Sequence, residues 1–246
     1  MKKTIALFIL LFIASGSVYS QLIGIKLGPV IGLTSPTSDF SGEVSDYYAG
    51  TKYGMKSAVN FGAMGKINIG PIGGRLSINY SSMSNSGVPN PSQPNSSVEV
   101  KNSILLFTVG AELGITIPFT SIRPYGGIDL LISSIGGSHN FQGTSEVSSN
   151  EIEMSSASRT GLGLAIGTEI GFGKTLIMDF SLRYNLHNLF SKSYEGVTAS
   201  NDRNYAYSFL NDDADPNYSA SDSKHPIGSS RNISTIQIQL GILFGL

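Results

Sequence analysis

Residues 175–187 read TLIMDFSLRYNLH. Leu176, Met178, Phe180, Leu182, Tyr184 and Leu186 fall on one side of a period-2 alternation, and Asp179, Ser181, Arg183, Asn185 and His187 on the other. Successive side chains of a strand point to opposite faces, so this stretch predicts a β-strand with one apolar and one polar face. The same alternation recurs at about 22–33, 57–69, 74–82, 100–117, 122–135, 160–172 and 235–246. In 100–117, Leu105, Phe107, Val109, Ala111, Leu113, Ile115 and Ile117 oppose Thr108, Gly110, Glu112, Gly114 and Thr116. With 175–187 this makes eight strands.

The polar faces choose between a soluble sandwich and a membrane barrel. Solvated faces are rich in Lys, Glu and Thr, whereas here the polar side is mostly Gly, Ala, Ser and Asn with isolated charges. Small residues suit the crowded interior of a narrow barrel. The apolar side would then face lipid. The links between segments alternate in length: 70–73, 118–121 and 173–174 are short and rich in Gly or Pro, while 34–56, 83–99, 136–159 and 188–231 are long and polar. Short periplasmic turns and long extracellular loops are the asymmetry of outer-membrane barrels. The expected fold is therefore all-β: an eight-stranded, antiparallel, up-and-down transmembrane barrel occupying residues 21–246.

Residues 1–20 have the form of a secretory signal peptide, with Lys2 and Lys3, then an apolar run from Thr4 to Ala14, then small residues up to Ser20. The apolar run is too short to span a bilayer as a helix, which takes about 20 residues. Export, cleavage after Ser20 and residence in the outer membrane are the expectation.

Composition narrows the function. The chain has 246 residues, 40% hydrophobic and 13% charged, with 29 Gly, no Cys, no Trp and a formal net charge of -1. No basic excess marks a nucleic-acid partner. Without Cys there are no disulfides, thiolate metal sites or cysteine nucleophiles. His139, His187 and His225 have no metal-ligand spacing. Asp212, Asp213 and Asp215 lack the rest of a calcium loop. No cofactor is expected.

The residues of interest are the charges on the inward face: Lys26, Lys66, Arg75 and Arg183 against Glu112, Asp129, Glu169 and Asp179. Most lie near a periplasmic turn, so they would meet at similar height across the barrel. Four of each sign would neutralise one another, because an unpaired buried charge is costly. Two roles follow for this lumen network, a structural plug or a gated path for small ions. Aromatics such as Phe61, Tyr80, Phe107, Tyr125, Phe172, Tyr184 and Phe244 fall mainly at outward parity and would form interfacial girdles.

Three textures carry a family resemblance: RPYGG at 123–127, GLGLAIGTE at 161–169 and MDFSLRY at 178–184. With the export signal, they make the chain resemble small eight-stranded outer-membrane β-barrels, nearest the Bacteroidetes outer membrane protein beta-barrel domain or PorT-like group. The resemblance implies a non-enzymatic barrel that serves envelope structure, or acts through its loops in adhesion or protein secretion. The implied partners are outer-membrane lipid and lipopolysaccharide, the barrel-assembly machinery, and proteins met by the extracellular loops. A narrow porin is the alternative. A lipid-modifying barrel enzyme using His187 at the rim is the third reading.

Overall fold

The computed structural model describes residues 24–49, 51–145, 149–173, 175–190 and 231–245. Eight antiparallel strands close into one barrel in chain order: β1 Gly24–Thr37, β2 Ala58–Ile69, β3 Ile72–Gly87, β4 Ser97–Gly114, β5 Ile122–Gln142, β6 Asn150–Phe172, β7 Leu176–Leu186 and β8 Ser234–Gly245. Closure pairs β1 with β8, for example Ile31 with Leu240. It removes the sheet edges that could not be satisfied inside a bilayer. A 3-10 turn, Ser38–Phe40, and a short helix α1, Val44–Tyr48, interrupt the first long link.

Every large side chain of the predicted apolar face in β7 points outward, and the same parity holds around the barrel. Ile128 is 64% exposed, Leu164 60% and Ile238 61%, values that only a lipid environment makes favourable for so many residues. The outward apolar runs define the membrane span: Ile72–Tyr80 in β3, Leu105–Leu113 in β4, Ile122–Ile132 in β5 and Leu162–Phe172 in β6. At about 3.3 Å per residue and a tilt of about 40°, Leu105 to Leu113 stands roughly 20 Å tall. Phe61 and Tyr80 pack against each other at its upper margin, ring centroids 5.6 Å apart.

The strands differ from expectation in their reach. Both ends of 83–99 and most of 136–159, predicted as loops, are strand: β3 continues to Gly87, β4 starts at Ser97, β5 runs to Gln142 and β6 starts at Asn150. Four adjacent strands thus rise beyond the span as a wall, while β1, β2, β7 and β8 stop near its margin. The pairing of β5 with β6 shifts register between Ile135 and Gly137. A Cβ on Gly137 would lie 1.8 Å from the Lys101 carbonyl oxygen, so only glycine lets the strands approach there.

Above the span the face polarity inverts. Outward positions become Ser82, Ser84, Ser97, Lys101 and Ser103, and inward positions become Met83, Val98, Val100, Ile104, Ile135 and Phe141, joined from the top of the span by Leu131. These inward residues form one buried cluster with Phe40, Val44, Tyr47, Tyr48, Tyr53, Met55 and Ile233. The first link therefore folds into the barrel mouth as an apolar cap. The reason is the change of solvent: outside the bilayer, water rather than lipid meets the outer face, and the apolar side chains turn inward as in a soluble protein. The cap is also held by backbone bonds: Tyr53 N donates to Asp39 O at 2.8 Å and Met55 N to Phe40 O at 3.1 Å.

Candidate functional site: the charged lumen

Beneath the cap, the inward faces of β1 to β7 bring seven of the eight predicted charges into one cluster. Lys66, fully buried on β2, is its centre. Its Nζ lies 2.6 Å from Asp179 Oδ2 and 3.1 Å from both Glu112 Oε2 and Glu169 Oε1. Lys26, its neighbour across the β1–β2 pairing, donates to Glu169 Oε2 at 2.5 Å. Arg75 sits opposite Lys66 on β3. Its Nη2 reaches both oxygens of Asp129, at 2.6 and 2.8 Å, and its Nη1 reaches Glu112 Oε2 at 3.2 Å. Such short contacts to ionised partners are the strong hydrogen bonds of a poorly hydrated interior.

Two members escaped the sequence reading. Arg123 donates from Nη1 to Glu112 Oε1 at 2.9 Å and to Glu169 Oε2 at 3.3 Å. Tyr125 was expected at outward parity but is buried in the lumen. Its hydroxyl donates to Asp179, with both carboxylate oxygens within 3.0 Å. The Lys66 ammonium stands 3.8 Å from the centre of its ring, a cation–π contact. Gly167 makes room for it: a Cβ there would lie 2.5 Å from the Tyr125 hydroxyl oxygen. The signal was present in the parity of β5, since residues 123 and 125 alternate in step with Asp129.

Arg183 stands apart. It is buried, yet among the described residues no carboxylate oxygen comes within ion-pair distance, and its hydrogen bonds go to Ser181 Oγ at 3.4 Å and Met64 Sδ at 3.3 Å. With Arg123 added, the expected balance of four and four becomes five cations, Lys26, Lys66, Arg75, Arg123 and Arg183, against Glu112, Asp129, Glu169 and Asp179.

Neutral amides fill the next level toward the mouth. Gln239 Nε2 donates to Asn60 Oδ1 at 3.1 Å and to Asn79 Oδ1 at 2.9 Å. Asn60 and Gln237 both donate to Thr34 Oγ1, at 3.0 and 3.2 Å. His187 is fully buried here rather than at the lipid-facing rim. Its Nδ1 lies 2.7 Å from Ser133 Oγ and its Nε2 3.0 Å from Thr235 Oγ1. Both ring nitrogens are thus engaged by hydroxyls, and among the described residues no carboxylate bonds to the ring to orient it as a general base.

His139, expected in a loop, lies on the wall portion of β5, above the span. Its Nδ1 is 2.6 Å from the Tyr47 hydroxyl and its ring stacks on Tyr47 at 5.2 Å. Burial there pushes the imidazole pKa down to about 3. Among the described residues no cluster of three or more His, Asp or Glu is placed to hold a metal ion. Asp212, Asp213, Asp215 and His225 lie outside the described residues.

A family model, the outer membrane protein beta-barrel domain, matches residues 4–212. Solved structures match across nearly the whole chain at low identity. Neisserial surface protein A is 10% identical, with 90% of this chain and 96% of that one covered, at a TM-score of 0.46. The N-terminal β-barrel domain of Pseudomonas aeruginosa OprF is 11% identical, with 91% and 97% covered, at 0.41. The outer membrane protein OprG from Pseudomonas aeruginosa is 9% identical, with 91% and 95% covered, at 0.43. No curated protein matches the chain.

Proposed function

The chain belongs to the outer membrane protein beta-barrel domain family, and we propose that it works there as a closed, non-catalytic barrel that presents its wall and cap to partners outside the membrane. One observation carries this reading: the lumen is obstructed twice along its axis. The ion-pair cluster crosses it near the periplasmic end, with Lys66 and Glu112 side chains fully buried. The apolar cap, in which Phe40, Met83, Val98, Val100 and Phe141 are fully buried, fills the mouth. An eight-stranded barrel has room for side chains but not for a wide aqueous channel in addition.

A narrow, gated path is the second reading. It is favoured by the buried polar atoms left without partners between the two obstructions, among them Thr108 Oγ1, Asn185 Nδ2, Gln237 Oε1 and Gln239 Oε1. Such atoms call for water. Planar-bilayer recordings separate the two. No unitary conductance is expected from the full chain, and steady chloride- or potassium-carrying openings would overturn the closed barrel.

The outward residues of the wall, with Lys101 paired to Glu99 at 2.9 Å and with Glu151 and Glu153 exposed on β6, offer a polar surface with an acidic excess. Lipopolysaccharide and envelope proteins are the proposed partners. The secretion role implied by PorT-like resemblance is the finer form of this proposal, and assembly by the barrel-assembly machinery is part of it. Crosslinking in intact outer membranes followed by affinity capture tests both, with secretion subunits in the eluate as the supporting result. Cleavage after Ser20 is likewise proposed, since residues 1–20 lie outside the described residues. N-terminal sequencing of the membrane form, reading from Gln21, would support it.

A further inference from the structure

We propose that the lumen holds one small inorganic anion of the chloride class beside Arg183. The inference rests on the closed-barrel reading, because an open, hydrated lumen would supply counterions freely.

The first ground is charge balance. Within the span, the described side chains contribute five cations and four carboxylates to the lumen. A guanidinium does not lose its proton in a protein, so Arg183 cannot relieve the excess by becoming neutral. An uncompensated charge in a poorly hydrated interior is strongly unfavourable.

The second ground is that the nearby carboxylates are already engaged. Both Asp129 oxygens are taken by Arg75 Nη2. Asp179 is held by Lys66 and by the Tyr125 hydroxyl.

The third ground is the supply of donors without acceptors. Arg75 Nε and Asn185 Nδ2 are buried and make no hydrogen bond. Asn185 lies two residues along the same inward face of β7 from Arg183. Arg183 pairs across the sheet with Ala165, the small neighbour on that flank. The Arg183 guanidinium and the Asn185 amide, on one face of β7, form the cradle; Gln237 Oε1, orphaned across the β7–β8 pairing from Arg183, is a neutral acceptor and leaves the charge in place. Water could satisfy the N–H groups, but a neutral molecule cannot offset the charge.

The test compares urea unfolding of the full chain in detergent, in sodium chloride and in sodium gluconate at equal ionic strength. Gluconate is too large for the cradle. One bound ion released on unfolding makes the unfolding equilibrium constant fall tenfold for each tenfold rise in chloride above its dissociation constant. The Arg183→Met variant is expected to show no such slope. Crystals grown in bromide should show an anomalous peak beside Arg183, a readout that does not depend on the variant folding. Equal unfolding in both salts together with no bromide peak would overturn the proposal. Bilayer conductance is read separately: a closed barrel without chloride dependence sinks this inference alone, whereas a conducting barrel sinks the reading beneath it.

Discussion

The Arg75–Asp129 pair offers the sharpest test of whether the lumen is a sealed interior. Both residues are 1% exposed, and Arg75 Nη2 sits 2.6 and 2.8 Å from the two carboxylate oxygens. Arg75→Met strips Asp129 of its ion-pair partner, while Glu112 keeps Lys66 and Arg123. Asp129→Leu leaves Arg75 with Glu112 alone, at 3.2 Å. Breaking a buried pair by removing one partner costs about 3–5 kcal/mol, because the survivor stays charged and desolvated. Replacing both partners by apolar side chains of similar volume is often neutral or stabilising by about 1–4 kcal/mol. The double variant should therefore be more stable than either single one. In urea, with a slope of about 2 kcal/mol per M, each single variant should lower the midpoint by roughly 2 M, and the double variant should recover most of that loss. The assay is equilibrium unfolding in detergent, followed by the loss of β-sheet circular dichroism and of heat-modifiable gel mobility. Single variants that shift the midpoint by less than about 0.5 M, the roughly 1 kcal/mol of a solvated pair, would refute the sealed lumen.

Two further outcomes concern the cap. Phe40→Ala removes a fully buried ring that meets Tyr53 edge-on at 5.7 Å, a loss of about 3–5 kcal/mol. The cost should fall on local opening of the first link: hydrogen exchange at the Tyr53 and Met55 amides is expected to speed up at least a hundredfold, with exchange inside the span of β3 and β4 unchanged. Acidification should loosen the same cap. The His139 pKa lies near 3 in the folded protein against about 6.5 unfolded. Between those values the unfolded chain binds the extra proton, so the stabilising contribution is complete above about pH 6.5 and falls as the pH drops toward 3. Exchange at the cap amides should rise across that window, and His139→Gln should flatten the profile. An unchanged profile in the variant would assign the pH response elsewhere.

Face and parity were legible because lipid leaves no choice. A residue such as Phe180 or Ile238 must be apolar to meet acyl chains, and its neighbours Asp179 and Gln239 are then forced inward. Arg123 and Tyr125 were equally legible, since both alternate in step with Asp129, but Tyr125 was grouped with the aromatic girdle by residue type instead of by parity. The cap was not legible. Met83, Val98 and Phe141 belong to stretches whose mixed polarity resembles loops when the alternation is read with a single rule for outside and inside. That rule reverses where the strands leave the bilayer, and no local feature of the chain marks the height at which they do.

The amino-acid sequence by itself determined eight two-faced strands, their order and which side chains share a face, because each of these follows from the period-2 geometry of a strand meeting lipid. Only the tertiary structure decided the partners. Lys66 reaches Asp179 from β2 to β7, and Arg75 reaches Asp129 from β3 to β5, because closure and stagger of the barrel set which inward residues stand at one height. The same closure left Arg183 without a carboxylate among the described residues and folded the first link into the mouth. Distances across the lumen belong to the closed cylinder, and no single strand contains them.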